Sequence, residues 1–146
     1  MAAAMATAAA ENIQHVIFGD LFLADVRAYR EGSLAGTGIS PVFPLWQRPT
    51  DTVAAEIIAC GIHAVITCVN PARVPAELVG RWYDDDLLAD LPPGVDPCGE
   101  NGEFHTFVVD GPGFAHPLEV RIGEIVERDG FVFADVLPAD DPPTHR

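Results

Sequence analysis

The chain has 146 residues, enough for one domain or two small pieces, and 49% of them are apolar, which supports a buried core and excludes wholesale disorder. Its 22 acids and 8 bases give a formal net charge of −14, and every base is arginine. The lack of lysine excludes Schiff-base chemistry and a lysine on nucleotide phosphates within these residues, and nine acids without one base between Asp84 and Glu119 exclude nucleic acid as a partner.

Cys60, Cys68 and Cys98 are odd in number and show no C-x-x-C spacing, which argues against a disulfide framework or zinc knuckle and for a reducing cytoplasm. The opening "MAAAMATAAA" lacks the basic and strongly apolar regions of a signal peptide. No run of about 18 apolar residues is present, so no membrane-spanning helix is expected. A lysine-free composition rich in Ala, Gly, Pro and Arg suggests a high-GC bacterial gene.

In chain order, residues 1–12 are strong helix formers. "IQHVIFGD" is an apolar run of strand length closing on Gly19-Asp20, the pattern of a buried parallel strand that opens into a loop. "LFLADVRAYREGSLAGTG" places Leu23, Val26 and Tyr29/Arg30 at helical spacing, with Gly32 and Gly36 to stop the helix. "ISPVFPLW" gives a second short strand bounded by Pro41 and Pro44. Thr50 or Asp51 caps the helix "TVAAEIIACG", and "IHAVITCV" is a third strand. This alternation predicts an α/β arrangement with parallel pairing.

After Asn70-Pro71 the pattern changes. "PAELVG" and "DDDLLADL" are brief helices, the second capped by Asp84, and "PPGVDPCGENG" is a loop by its Pro and Gly. "FHTFVVD" alternates as a strand, and "LEVRIGEIVERDGFVFADVL" is a β-hairpin turning at Asp129-Gly130. The acidic, proline-rich residues 139–146 read as a disordered tail. Two or three parallel strands leave a bare sheet edge, so the α/β part reads as half of a larger sheet.

The densest chemistry lies in "DPCGENGEFHTF", residues 96–107. Glu100, Asn101, Glu103 and His105 suit a cation, an amine or a hydroxyl-bearing ligand, or else form a solvated acidic loop whose Asn and Gly serve turns. Strand alternation puts Glu103 and His105 on one, solvent-side face and Phe104 and Thr106 on the other, with Phe104 as core anchor. Cys98 beside His105 allows a cysteine-hydrolase reading, against the commoner one of a small buried hydrophobe. Gly19-Asp20 sits where open α/β sheets bind ligands, or is a plain turn.

"FGDLFLADVRAYRE", "VFPLW", "LVGR" and above all "VDPCGENGEFHTFVVDGP" resemble the ATP-pyrophosphatase family that includes diphthine–ammonia ligase, of adenine nucleotide alpha-hydrolase type. The resemblance runs over residues 1 to 138. It implies a partial Rossmann-like nucleotide domain over residues 1–48, an α+β substrate domain with a C-terminal hairpin over 49–138, and cleavage of ATP, with Mg2+, to AMP and pyrophosphate. The activated species would be an acyl-adenylate of a small-molecule or protein carboxylate, attacked by ammonia. Gly19 and Asp20 would face the nucleotide, while Glu100, Asn101, Gly102, Glu103, His105 and Thr106 would bind substrate, an amine or magnesium. The family's Ser-Gly-Gly-Lys-Asp-Ser phosphate loop is missing from these residues, and Asn101 and His105 replace a Gly and a Glu of its Glu-Gly-Gly-Glu-(Phe/Tyr)-Glu-(Ser/Thr) signature. The alternative expectation is a noncatalytic substrate-binding module, or a gene fragment, working with a separate nucleotide-binding chain.

Overall fold

In the computed structural model, residues 5, 7, 8 and 10–140 are described. They form a mixed α/β protein with two sheets, and the chain divides into two compact units, Met1–Pro49 and Thr50–Arg146. Of the expected N-terminal helix, Met5, Thr7, Ala8 and Ala10 are helical and its other residues up to Ala9 lie outside the described set.

The first unit is a β-α-β turn of chain. Strand β1 (His15–Ile17) and strand β2 (Ser40–Val42) pair in parallel, with helix α1 (Ala24–Leu34) between them. Helix α1 ends where Gly36 takes a left-handed φ of 76°, as its lack of Cβ permits. The Arg27 guanidinium lies 4.6 Å from the Phe43 ring centre and 4.7 Å from that of Trp46, while its Nε donates to Glu31 one turn on. The parallel pairing agrees with the sequence reading; the burial does not. His15 and Ile17 are exposed and only Val16 between them is half-buried, so one side of the pair is open, where a parallel strand in a complete sheet is covered on both faces.

In the second unit, helix α2 (Thr50–Ala59) stops at Gly61, whose φ of 73° lets the Ile62 N–H reach back to the Ile57 carbonyl at 3.2 Å. Strand β3 (His63–Val69) follows, then a 3-10 turn (Ala76–Leu78) and helix α3 (Asp85–Asp90). The Asp84 carboxylate accepts from the Leu87 N–H at 2.8 Å, the cap that the sequence predicts. Strands β4 (Phe104–Asp110), β5 (Val120–Arg128) and β6 (Phe131–Pro138) complete a four-stranded sheet in the order β4-β3-β6-β5. The β5–β6 hairpin turns at Asp129 and Gly130 with φ of 54° and 80°, a type I′ turn.

Every pairing in this sheet is antiparallel, so the expected parallel placement of β3 is corrected. A continuous apolar run such as Ala64-Val65-Ile66 fits a strand buried on both faces and carries no information about its neighbours' direction. Ala54, Ile66, Val69, Leu87 and Phe104 are among the core residues where α2, α3 and the sheet meet. Of the expected disordered tail, Ala139 is held by an N–H bond to Glu119 O at 2.9 Å and Asp140 completes a turn; residues 141–146 lie outside the described set.

Candidate functional site

The loop from Asp96 to Glu103 is built around two buried acids. Asp96 accepts from the Glu100 N–H at 2.8 Å and the Cys98 N–H at 3.4 Å, while its own carbonyl takes the Gly99 N–H. These are the short-range bonds by which an aspartate closes a turn on its own chain. Glu103 is fully buried at 0% exposure. Its carboxylate accepts from the Asn101 N–H at 2.9 Å, the Asn101 side-chain amide at 3.1 Å and the Asp96 N–H at 3.3 Å. Arg73, brought up by the turn at Asn70, adds its guanidinium at 3.3 Å. Burial pushes the Glu103 carboxyl up, but the Asn101 amide, the backbone N–H donors and the Arg73 charge together outweigh it and hold it below the usual carboxylate range.

Gly99 makes this path possible. Its φ is +67°, and a Cβ there would stand 2.8 Å from the Phe104 carbonyl oxygen. Gly102 also takes a positive φ, so the chain reverses twice before β4 begins.

These turns overturn the expected facing of the signature. Glu103 precedes the strand, and period-two alternation cannot be carried back across a residue in turn conformation. Glu103 therefore turns inward instead of sharing the solvent side with His105. A bulge at Thr67 in β3, where Ile66 faces Thr106 but Cys68 faces His105, also disturbs the register beside it. Phe104 is buried as expected; Thr106, expected on the same face, is exposed.

Glu100, Gly102, His105 and Thr106 line one cavity of about 350 Å3, together with Cys98, Gly99 and Phe104. Asn101 commits its amide to Glu103 and is absent from that wall, as is Glu103. The Cys98 thiol is pushed up to about 11, first by burial and then by the nearby Asp96 and Glu100 charges, and it donates to the Thr50 carbonyl. A protonated, hydrogen-bonded thiol is a poor nucleophile, which tells against the cysteine-hydrolase reading.

Gly19 and Asp20 belong to the other unit. Asp20 Oδ2 lies 3.6 Å from Arg30 Nε, and open space surrounds the position of a Gly19 Cβ. Among the described residues, no group of three or more His, Cys, Asp or Glu is disposed to hold a metal ion. Sequence reasoning missed Asp96, Gly99 and Arg73. An Asp two and four residues before the N–H groups it accepts is a legible turn signal, whereas nothing local to Arg73 points to a partner thirty residues on.

Residues 49–135 match the family described as diphthamide synthase C-terminal domain. The chain is 29% identical over 131 residues to diphthine–ammonia ligase of Bos taurus and 30% identical over 132 residues to that of Homo sapiens, covering 86% of this chain and 49% of each relative. With the enzyme of that name from Schizosaccharomyces pombe it shares 26% identity over 94 residues, or 62% of this chain and 16% of the relative. The chain thus spans about half the length of its mammalian relatives. With more than half of its residues matched to one family, the chain belongs to the diphthamide synthase C-terminal domain family.

Proposed function

We propose that this chain is the substrate-side portion of an ATP-dependent amide-forming ligase similar to diphthine–ammonia ligase, in which ATP is split to AMP and pyrophosphate to activate a carboxylate. The observation that carries the reading is the braced loop: two buried carboxylates fix residues 96–103 and leave Glu100, His105 and Thr106 at one cavity. A carboxylate and an imidazole at one mouth can hold an amine and take the proton that it loses on attacking an activated acid. Fixing them on a braced loop supplies the orientation such an attack needs.

The β1-α1-β2 unit is consistent with a piece of a Rossmann-like nucleotide domain, since Gly19 and Asp20 follow the carboxyl end of a parallel strand. In this reading they face the nucleotide, and the phosphate contacts come from a separate nucleotide-binding chain or segment. Cys60, Cys68 and Cys98 are all free thiols, which supports a reducing, cytoplasmic setting.

The test is to combine the chain with a nucleotide-binding partner bearing the Ser-Gly-Gly-Lys-Asp-Ser loop, or to graft residues 49–138 into a full-length relative. AMP and pyrophosphate are then followed with Mg-ATP, ammonium and a panel of carboxylates. Turnover should require both parts and fall about 10²- to 10⁴-fold in His105→Ala. Binding of a carboxylate with no turnover in any pairing would favour the noncatalytic module instead.

A further inference from the structure

Next to the polar cavity lies an apolar slot of about 200 Å3, walled by Ile57 of α2, Ile62, Ala64 of β3, Tyr83 and Val108 of β4. Slot and cavity share Cys98, Phe104 and Thr106, so one opens beside the other. Apart from Thr106, which the slot shares with the polar cavity, its polar side chains are already engaged. The Tyr83 hydroxyl already donates to the Pro97 carbonyl at 2.7 Å and the Cys98 thiol to Thr50 O at 3.3 Å. An apolar cavity of about 150 Å3 is enough to hold a benzene ring, so this one takes about six carbon atoms.

Charge selects the other end of the ligand. Glu100 lines the polar cavity, and from Trp82 to Val120 the chain carries nine acids and no base. The Arg73 guanidinium is engaged by Glu103 at 3.3 Å and lines neither cavity. We infer that the site takes an amphipathic amine, with a primary ammonium beside Glu100 and His105 and an apolar chain of about four to six carbons in the slot between α2 and the sheet. This deepens the ligase reading, on which it rests only for the use made of the bound amine.

The test is a titration of the isotope-labelled full chain with methylamine, butylamine and hexylamine near neutral pH, read by amide chemical shifts. All three should move Glu100 and His105. Only the longer two should move Ala64 and Val108, and affinity should rise about fourfold per added methylene until the slot is full. Hexanoate should bind at least about tenfold more weakly than hexylamine. Val108 is 38% exposed, so Val108→Phe narrows the slot from its rim; it should abolish the chain-length dependence and spare the methylamine shifts. Equal affinity for methylamine and hexylamine, preference for hexanoate, or a V108F protein that binds hexylamine like the parent would each overturn the inference. Chain-length dependence here, with no ATP-dependent product in any pairing of the chain with a nucleotide-binding partner, supports the inference and counts against the ligase reading alone.

Discussion

Glu103 carries a charge in a place closed to solvent, and its partners decide what that costs. One carboxylate oxygen takes the Asn101 N–H; the other takes the Asn101 amide and the Asp96 N–H. In Glu103→Gln an NH2 group must replace one of these acceptors and meet a donor, so the variant should lose about 1–3 kcal/mol in urea unfolding. The sequence alone, which puts Glu103 in solvent, would predict a change within about 0.5 kcal/mol. Acid should tell the same story. The folded carboxyl titrates below its unfolded value of about 4.3, so its stabilisation is complete above that pH and is lost as pH falls through the lower folded value. Urea midpoints at neutral pH and near pH ~3 should therefore diverge less in Glu103→Gln than in the parent. Gly99→Ala should cost at least about 1–2 kcal/mol, seen as a lower melting temperature, because the left-handed φ is itself unfavourable and the new Cβ meets a backbone oxygen.

Among the elements, β4 links site to core. Its first residue, Phe104, is 4% exposed and lies within the core cluster, while the next, His105, is exposed at the cavity. Phe104→Ala should cost about 3–5 kcal/mol by urea unfolding, with the loss of the loop's backing as a consequence. Parent-like stability would mean that the register of β4 on β3 is misassigned. The β5–β6 hairpin needs less help from the rest of the molecule. Asp129-Gly130 is among the dipeptides that favour a type I′ turn, and its φ values were in effect written into the sequence.

For the whole molecule, the net charge of −14 and the absence of lysine bear on what the chain does unaided. Splitting ATP needs donors and a cation arranged round the leaving pyrophosphate, usually from a glycine loop at a helix N-terminus. The acids around the candidate site repel a triphosphate, and magnesium cannot supply the positioning that in-line displacement requires. The 146-residue chain with saturating Mg-ATP should accordingly release no AMP or pyrophosphate. Turnover proportional to protein and lost in Asp20→Ala would mean that the chain holds a nucleotide site of its own.

What the sequence determined by itself is local. Asp84 caps α3, Asp129-Gly130 turns the hairpin, "FHTFVVD" is a strand, and "GENGEFHT" lies within the stretch matched to the family, because turn chemistry, capping and motif spacing act within a few residues. What the tertiary structure decided is distant. The direction of β3 rests on β4 and β6, which begin more than thirty residues later, and an apolar run reads alike in either pairing. The inward turn of Glu103 depends on the guanidinium of Arg73 and on two backbone N–H groups that a folded loop alone can aim at one point. A carboxylate is the same letter in solvent or core; only the donors gathered round it make burial stable.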